Sequence, residues 1–105
     1  MPIGPDLVSI FKEYCSSSYA DVASDGSYLS IDSNPSDSEY NKYEKDALQA
    51  IIIVNNKLDL PDSVLNKMAH TRSMDGRQVY EGDGIEISWI YHPDNGLEVT
   101  YTITD

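Results

Sequence analysis

Positive charge is scarce in this sequence. Seven lysines and arginines stand against eighteen aspartates and glutamates, a formal net charge of −11 over 105 residues. Such a field repels nucleic acid and anionic membranes and speeds encounter with basic partners. Cysteine is scarcer still. The lone Cys15 excludes an internal disulfide framework and any multi-cysteine metal site, and a reducing cytoplasm is the expected setting. The longest apolar run, Ala50 to Val54, has five residues, well short of the roughly 18 that mark a membrane span. The N-terminus carries no basic region followed by an apolar stretch, so no secretory signal is expected. Phenylalanine and tryptophan occur once each, and tyrosine supplies the other eight aromatics.

What is present suffices for one core. Apolar residues make up 40% of the chain, too many and too periodic for a disordered acidic tail. The length fits a single compact domain over residues 1–105. The charge is uneven along it: residues 1–41 have a balance of −6, residues 42–78 of +1, and residues 79–105 of −6 with no base at all. Two acidic flanks that read mostly as strand enclose a near-neutral middle that reads as helix.

Local patterns predict the elements. Leu7, Ile10, Phe11 and Tyr14 recur at helical spacing after Gly4-Pro5-Asp6, a helix start with proline at the first position; Cys15 borders that stripe and Ser16-Ser17-Ser18 ends it. Asp25-Gly26 predicts a two-residue type I′ hairpin turn between strands over 19–24 and 27–32, with Ala20, Val22, Leu29 and Ile31 inward. Ser36 and Glu39 fit a capping box opening a long helix over 39–58, whose stripe is Tyr40, Tyr43, Ala47, Ile51, Val54 and Leu58. Ile52 and Ile53 lie off the stripe, so the last half of this helix is expected to be buried on more than one side, against another helix or a second copy. Pro61 opens a short helix to about His70 that buries Val64, Leu65, Met68 and Ala69. Thr71 to Gly84 reads as an exposed polar loop. Residues 85–92 and 97–104 alternate around Pro93-Asp94-Asn95-Gly96, with Ile90 alone spoiling the polar face, and placing Tyr91 opposite Leu97 puts all eight large residues, Trp89 and Tyr101 included, on one face. The expected fold is α+β in the order α-β-β-α-α-β-β, a three- or four-stranded antiparallel sheet with about three helices on one face.

No pattern carries a catalytic signature. His70 and His92 lack metal-ligand spacing, Cys15 lies beside an apolar stripe rather than at a helix N-terminus, and Gly82-Asp83-Gly84 lacks phosphate-loop spacing. Asp32, Asn34 and Ser36 offer oxygens without the glycine-centred spacing of a calcium loop. No enzyme activity and no cofactor are expected. Two groups of residues remain. The first is the basic segment Lys67, His70, Arg72, Asp75, Arg77 and Gln78, which holds both arginines of the chain. Their planar forks suit a carboxylate or phosphate, so the segment is a candidate partner- or anion-binding loop; the simpler reading is that both arginines fasten the loop to the protein's own acids. The second is an acidic contact surface of Glu81, Asp83, Glu86 and Glu98, on the polar face of the last strands and the turn before them.

The expected function is therefore that of a small acidic interaction or regulatory protein whose protein partner has a basic surface. The alternative is a small anionic-ligand-binding or catalytic domain using the 67–78 loop. A third reading starts from the helices flanking Asp59-Leu60-Pro61, which resemble a DNA-binding helix-turn-helix in outline. The overall charge, the absence of a glycine in the turn and Asp62 at the head of the second helix weigh against it.

Overall fold

The computed structural model describes residues 6–33, 44–82, 84–92 and 96–104. Three helices, α1 (Leu7–Tyr14), α2 (Glu44–Lys57) and α3 (Asp62–His70), join five strands, β1 (Ala20–Val22), β2 (Tyr28–Asp32), β3 (Gln78–Gly82), β4 (Ile85–His92) and β5 (Gly96–Ile103). A single 3-10 turn at Ser73–Asp75 precedes β3. The sheet order is β1-β2-β5-β4-β3, antiparallel throughout, so β5, the last strand of the chain, occupies its centre beside β4.

Alternation decides the two faces. Tyr91 pairs with Leu97 and Trp89 with Val99, the register the sequence pattern demands. Leu29, Ile31, Ile85, Ile87, Trp89, Leu97, Val99 and Tyr101 are all buried against the helices, while Tyr91 and Ile103 are half-buried at the margin. Leu7 of α1, Tyr19 just before β1, Ala47, Ala50, Ile51 and Val54 of α2, and Val64 and Met68 of α3 complete one continuous core cluster.

The helix ends follow from local chemistry. Asp6 caps α1 by accepting from the Ser9 backbone N–H at 3.2 Å and from the Ser9 hydroxyl at 2.9 Å, which holds its carboxyl below the ordinary value. Asp6 is therefore the cap rather than a first-turn residue. Past α2, Asp59 sits at φ 55°; the Leu60 N–H returns to the Asn55 carbonyl at 3.0 Å and the Asp59 N–H to the Asn56 carbonyl at 3.1 Å. This pair of bonds closes a helix in the manner usually given to glycine, and aspartate tolerates the left-handed region better than most residues.

Four sequence expectations need correction. The sheet has five strands because Gln78–Gly82, expected within an exposed loop, pairs with β4 from Gln78↔Trp89 to Gly82↔Ile85. As an edge strand it buries little: Tyr80 is half-buried and Val79 is 54% exposed, so alternation barely registers in its composition. The first hairpin forms, but its turn is not a two-residue type I′. The Ala23 N–H bonds the Tyr28 carbonyl, leaving a longer loop in which Gly26 alone has positive φ, at 77°. Within one copy of the chain, the second half of α2 is buried on one broad side only, since Ile52 remains 50% exposed. Ala69 is exposed rather than buried. The expected α2 start, with Ser36, Glu39, Tyr40 and Tyr43, lies outside the described residues, as do Asn34, Asp83 and the turn at 93–95.

A buried polar chain ties the layers together. The Tyr101 hydroxyl of β5 donates to Asn55 Oδ1 of α2 at 2.6 Å, and Asn55 Nδ2 donates to Met68 Sδ of α3 at 3.5 Å. Tyr101 is fully buried and Asn55 is 4% exposed, so neither group has water to fall back on. Tyr101→Phe should cost about 1–3 kcal/mol in urea denaturation, because it strands the Asn55 carbonyl oxygen. Adding Asn55→Leu should recover part of that loss; a strictly additive double variant would show the two residues to be uncoupled.

Candidate functional site

The basic segment does not converge on one site. The Arg72 backbone N–H donates to Asp75 Oδ2 at 2.8 Å and the Asp75 N–H returns to the Arg72 carbonyl at 3.0 Å, a reciprocal pair that folds the 3-10 turn. Gln78 Nε2 donates to the Asp75 carbonyl at 2.7 Å and starts β3. The Arg72 guanidinium lies 3.8 Å from Asp75 Oδ1 with its side chain 72% exposed, a loose contact that leaves most of its donors free. Arg77 departs in another direction, with Nη1 3.3 Å from Ser88 Oγ on the polar side of the sheet. Lys67 and His70 lie exposed on α3, where His70 Nδ1 donates to the Asn66 carbonyl at 2.8 Å.

The segment is anchored by Thr71, a residue that no motif in the sequence marks. Its hydroxyl donates to the Lys67 carbonyl at 2.6 Å and accepts from Trp89 Nε1 at 2.8 Å, joining the end of α3 to β4. A buried indole N–H needs such a partner, so the sole tryptophan fixes where the segment begins.

Beside this anchor lies a cleft of ≈ 730 Å³ between α2 and α3. Leu48, Ile51 and Ile52 line it from α2, and Leu65, Met68 and Ala69 from α3. Tyr91 and Leu97 close it at the sheet end, and Thr71, Arg72 and Ser73 form its rim. Its signal in the sequence is a second apolar row, Leu48 and Ile52 on α2 facing Leu65 and Ala69 on α3, each pair four residues apart.

The second surface is the sheet face turned away from the core. Direct pairing sets Asp21, Ser30, Thr100, Ser88 and Val79 in one row across all five strands. A neighbouring row holds Tyr28, Thr102, Glu86 and Glu81, and a third holds Asp32, Glu98 and Ile90. The Ser30 and Thr100 hydroxyls meet at 3.4 Å in the centre, and the Tyr28 hydroxyl donates to Asp21 Oδ2 at 3.3 Å. The charge of Asp21 raises the Tyr28 phenol above its ordinary value. Glu81 and Glu86 are direct cross-strand partners, a repulsive placement. Among the described residues, Glu81, Glu86 and Glu98 form no ion pair or side-chain hydrogen bond. Of the expected acidic surface, these three therefore share one face, and Asp83 lies outside the described residues.

Among the described residues no three His, Cys, Asp or Glu side chains gather as a metal-binding group. No described helix is long and apolar enough to cross a membrane. Half-burial pushes the Cys15 thiol up to about 11, which leaves it protonated and weakly nucleophilic at neutral pH. No protein-family model, curated protein or solved structure matches the chain.

Two measurements test these contacts. Arg77→Ala should change stability by less than about 0.5 kcal/mol, since one exposed hydrogen bond is lost. At alkaline pH, Cys15 and buried Tyr101 keep their protons in the folded state beyond the values of 9.0 and 10.0 at which they ordinarily ionise. Their contribution is complete below those values and lost as pH rises, because the unfolded chain then releases protons first. Stability should decline from about pH 9, and Cys15→Ala should remove the earliest part of that decline.

Proposed function

We propose that this protein is a small acidic interaction module that binds a protein partner with a basic surface through the open face of its sheet. The observation that carries this reading is the pairing of Glu81 with Glu86 on a face where Glu98 also stands without a described counter-ion. Like charges directly opposite one another cost stability, and lysines or arginines of a partner would relieve that cost. Arg77, beside Ser88, is the arginine or lysine that the described hydrogen bonds and ion pairs bring to this face, against Asp21, Asp32, Glu81, Glu86 and Glu98.

Charge alone would give fast encounter and little affinity, since each exposed ion pair contributes about 0–1 kcal/mol. The face also offers contact area of another kind. Tyr28 is 38% exposed, Val79 is half-exposed and Ile90 is half-buried among the carboxylates. An aromatic and two aliphatic side chains within a charged field are the ingredients of an interface centre with a polar surround. The Ser30–Thr100–Ser88 row keeps the middle of the face short, so a partner's side chains can lie close to the backbone. A free, half-buried Cys15 fits a reducing cytoplasmic setting.

The test compares two variants of equal net charge. Glu81→Gln with Glu86→Gln removes charge from the face; Glu13→Gln with Asp62→Asn removes the same charge from the exposed helix side. A basic partner captured from the native cell should be released by rising salt and should bind the face variant at least about tenfold more weakly than the helix variant. Equal weakening of both would reduce the effect to net charge, and salt-insensitive capture would remove its electrostatic basis. The face variant should also be slightly more stable than the unaltered protein, by about 0.2–1 kcal/mol, because the repulsion is gone.

A further inference from the structure

The α2–α3 cleft is a different kind of surface from the open sheet face. Its ≈ 730 Å³ lies within the range of small-molecule sites, about 300–1,000 Å³. Its walls are aliphatic, and two of the residues lining it are unusually open for large apolar side chains: Leu48 at 38% and Ile52 at 50% exposure. Among the described residues that line it, Arg72 alone is charged, in a protein otherwise dominated by carboxylates. Among the described residues, the Arg72 fork is held only by the 3.8 Å contact to Asp75, whose other oxygen is already taken by the Arg72 backbone N–H. Ser73, beside it on the rim, makes no side-chain hydrogen bond to a described residue. An apolar trough with one available cation at its mouth complements a molecule with an apolar body and one anionic end.

We infer that this cleft binds a small amphipathic carboxylate, its apolar body along Leu48, Ile52, Leu65 and Ala69 and its head group on the Arg72 guanidinium. A planar fork with free donors accepts a carboxylate with two parallel hydrogen bonds, which a lysine in the same place would not do. The methylenes contribute through burial, so affinity should rise with chain length. Thr71 connects the rim to the sole tryptophan: its hydroxyl accepts the Trp89 indole N–H, so ligand entry should perturb Trp89 emission.

The probes are octanoate, decanoate and 1-octanol, each kept below its solubility or micelle-forming concentration, followed by Trp89 fluorescence and calorimetry. Decanoate should bind saturably and roughly tenfold more tightly than octanoate, as two added methylenes imply. Arg72→Gln should weaken octanoate about tenfold and leave octanol unchanged, whereas Lys12→Gln, which removes a cation on α1, should alter neither. Ala69→Phe, at an exposed position, should fill the cleft and abolish all three, with urea denaturation checking that the fold is kept. Vesicles rich in anionic lipid should not bind, which separates a free carboxylate from the same chemistry presented in a bilayer. Absence of saturable binding, binding that survives Ala69→Phe, or equal octanoate affinity in Arg72→Gln would each overturn the inference. So would a concentration-dependent dimer that Ile52→Glu dissociates, since the cleft would then be filled by a second copy. Glu81→Gln with Glu86→Gln should leave octanoate binding intact, so this inference stands or falls separately from the interaction reading.

Discussion

The hydrogen bond from the buried Tyr101 hydroxyl to Asn55, continued from Asn55 to Met68, is the interaction on which the rest of the arrangement hangs. Apolar packing between helices and a sheet tolerates sliding, because burial has no direction. A fully buried hydroxyl and amide do not tolerate it, because a displaced partner leaves a polar group with neither protein nor water. The chain of bonds therefore holds α2 and α3 at a fixed position over the central strand β5. Two further latches act at the margins. Trp89 to Thr71 fixes the end of α3 against β4, and Ser33 exchanges bonds with Leu97, its N–H donating at 2.9 Å and its hydroxyl accepting at 2.7 Å.

Fixing the helices over β5 also fixes what faces away from them. With Tyr101, Val99 and Leu97 committed inward, Glu98, Thr100 and Thr102 must point outward, and pairing carries the same choice to every other strand. The outer face thus collects carboxylates from all five strands, although the residues lie between positions 21 and 98 of the chain. The cleft is a second consequence. Asn55 and Met68 join α2 to α3, and Leu48, Ile52, Leu65 and Ala69 line the gap beside that contact, with Met68 in its wall.

Alternation in residues 85–104 is strong enough to specify the β4–β5 register by itself, down to Tyr91 opposite Leu97. Both short helices are legible from apolar spacing, and the β1–β2 pairing from its flanking signals. The fifth strand is not. An edge strand is open to solvent along one side and packs little against the helices, so Val79 and Glu81 give no apolar rhythm to follow. The turn at Asp25-Gly26 departs from expectation for a related reason: a dipeptide reports that a turn occurs, and strand pairing decides how long it is. Asn55 is invisible as a core residue because composition treats it as polar; only its place between Val54 and Leu58 on the buried side hints otherwise.

The same limits govern the candidate sites. Six residues of the basic segment are close enough in sequence to suggest one site, yet a 3-10 turn sends Arg72 to the cleft and Arg77 to the sheet. Conversely, Glu81 becomes a neighbour of Glu86 only through the pairing of β3 with β4. The central claim is that strand pairing makes one sheet face into a binding surface for cations, separate from the cleft. An amide-resolved NMR titration with a lysine- and arginine-rich peptide tests it most directly. The account predicts that the amides of Ser30, Glu86, Ser88, Glu98 and Thr100 shift together and that added salt reverses the shifts. Shifts confined to α2 and α3, or spread evenly over every acidic segment, would contradict it.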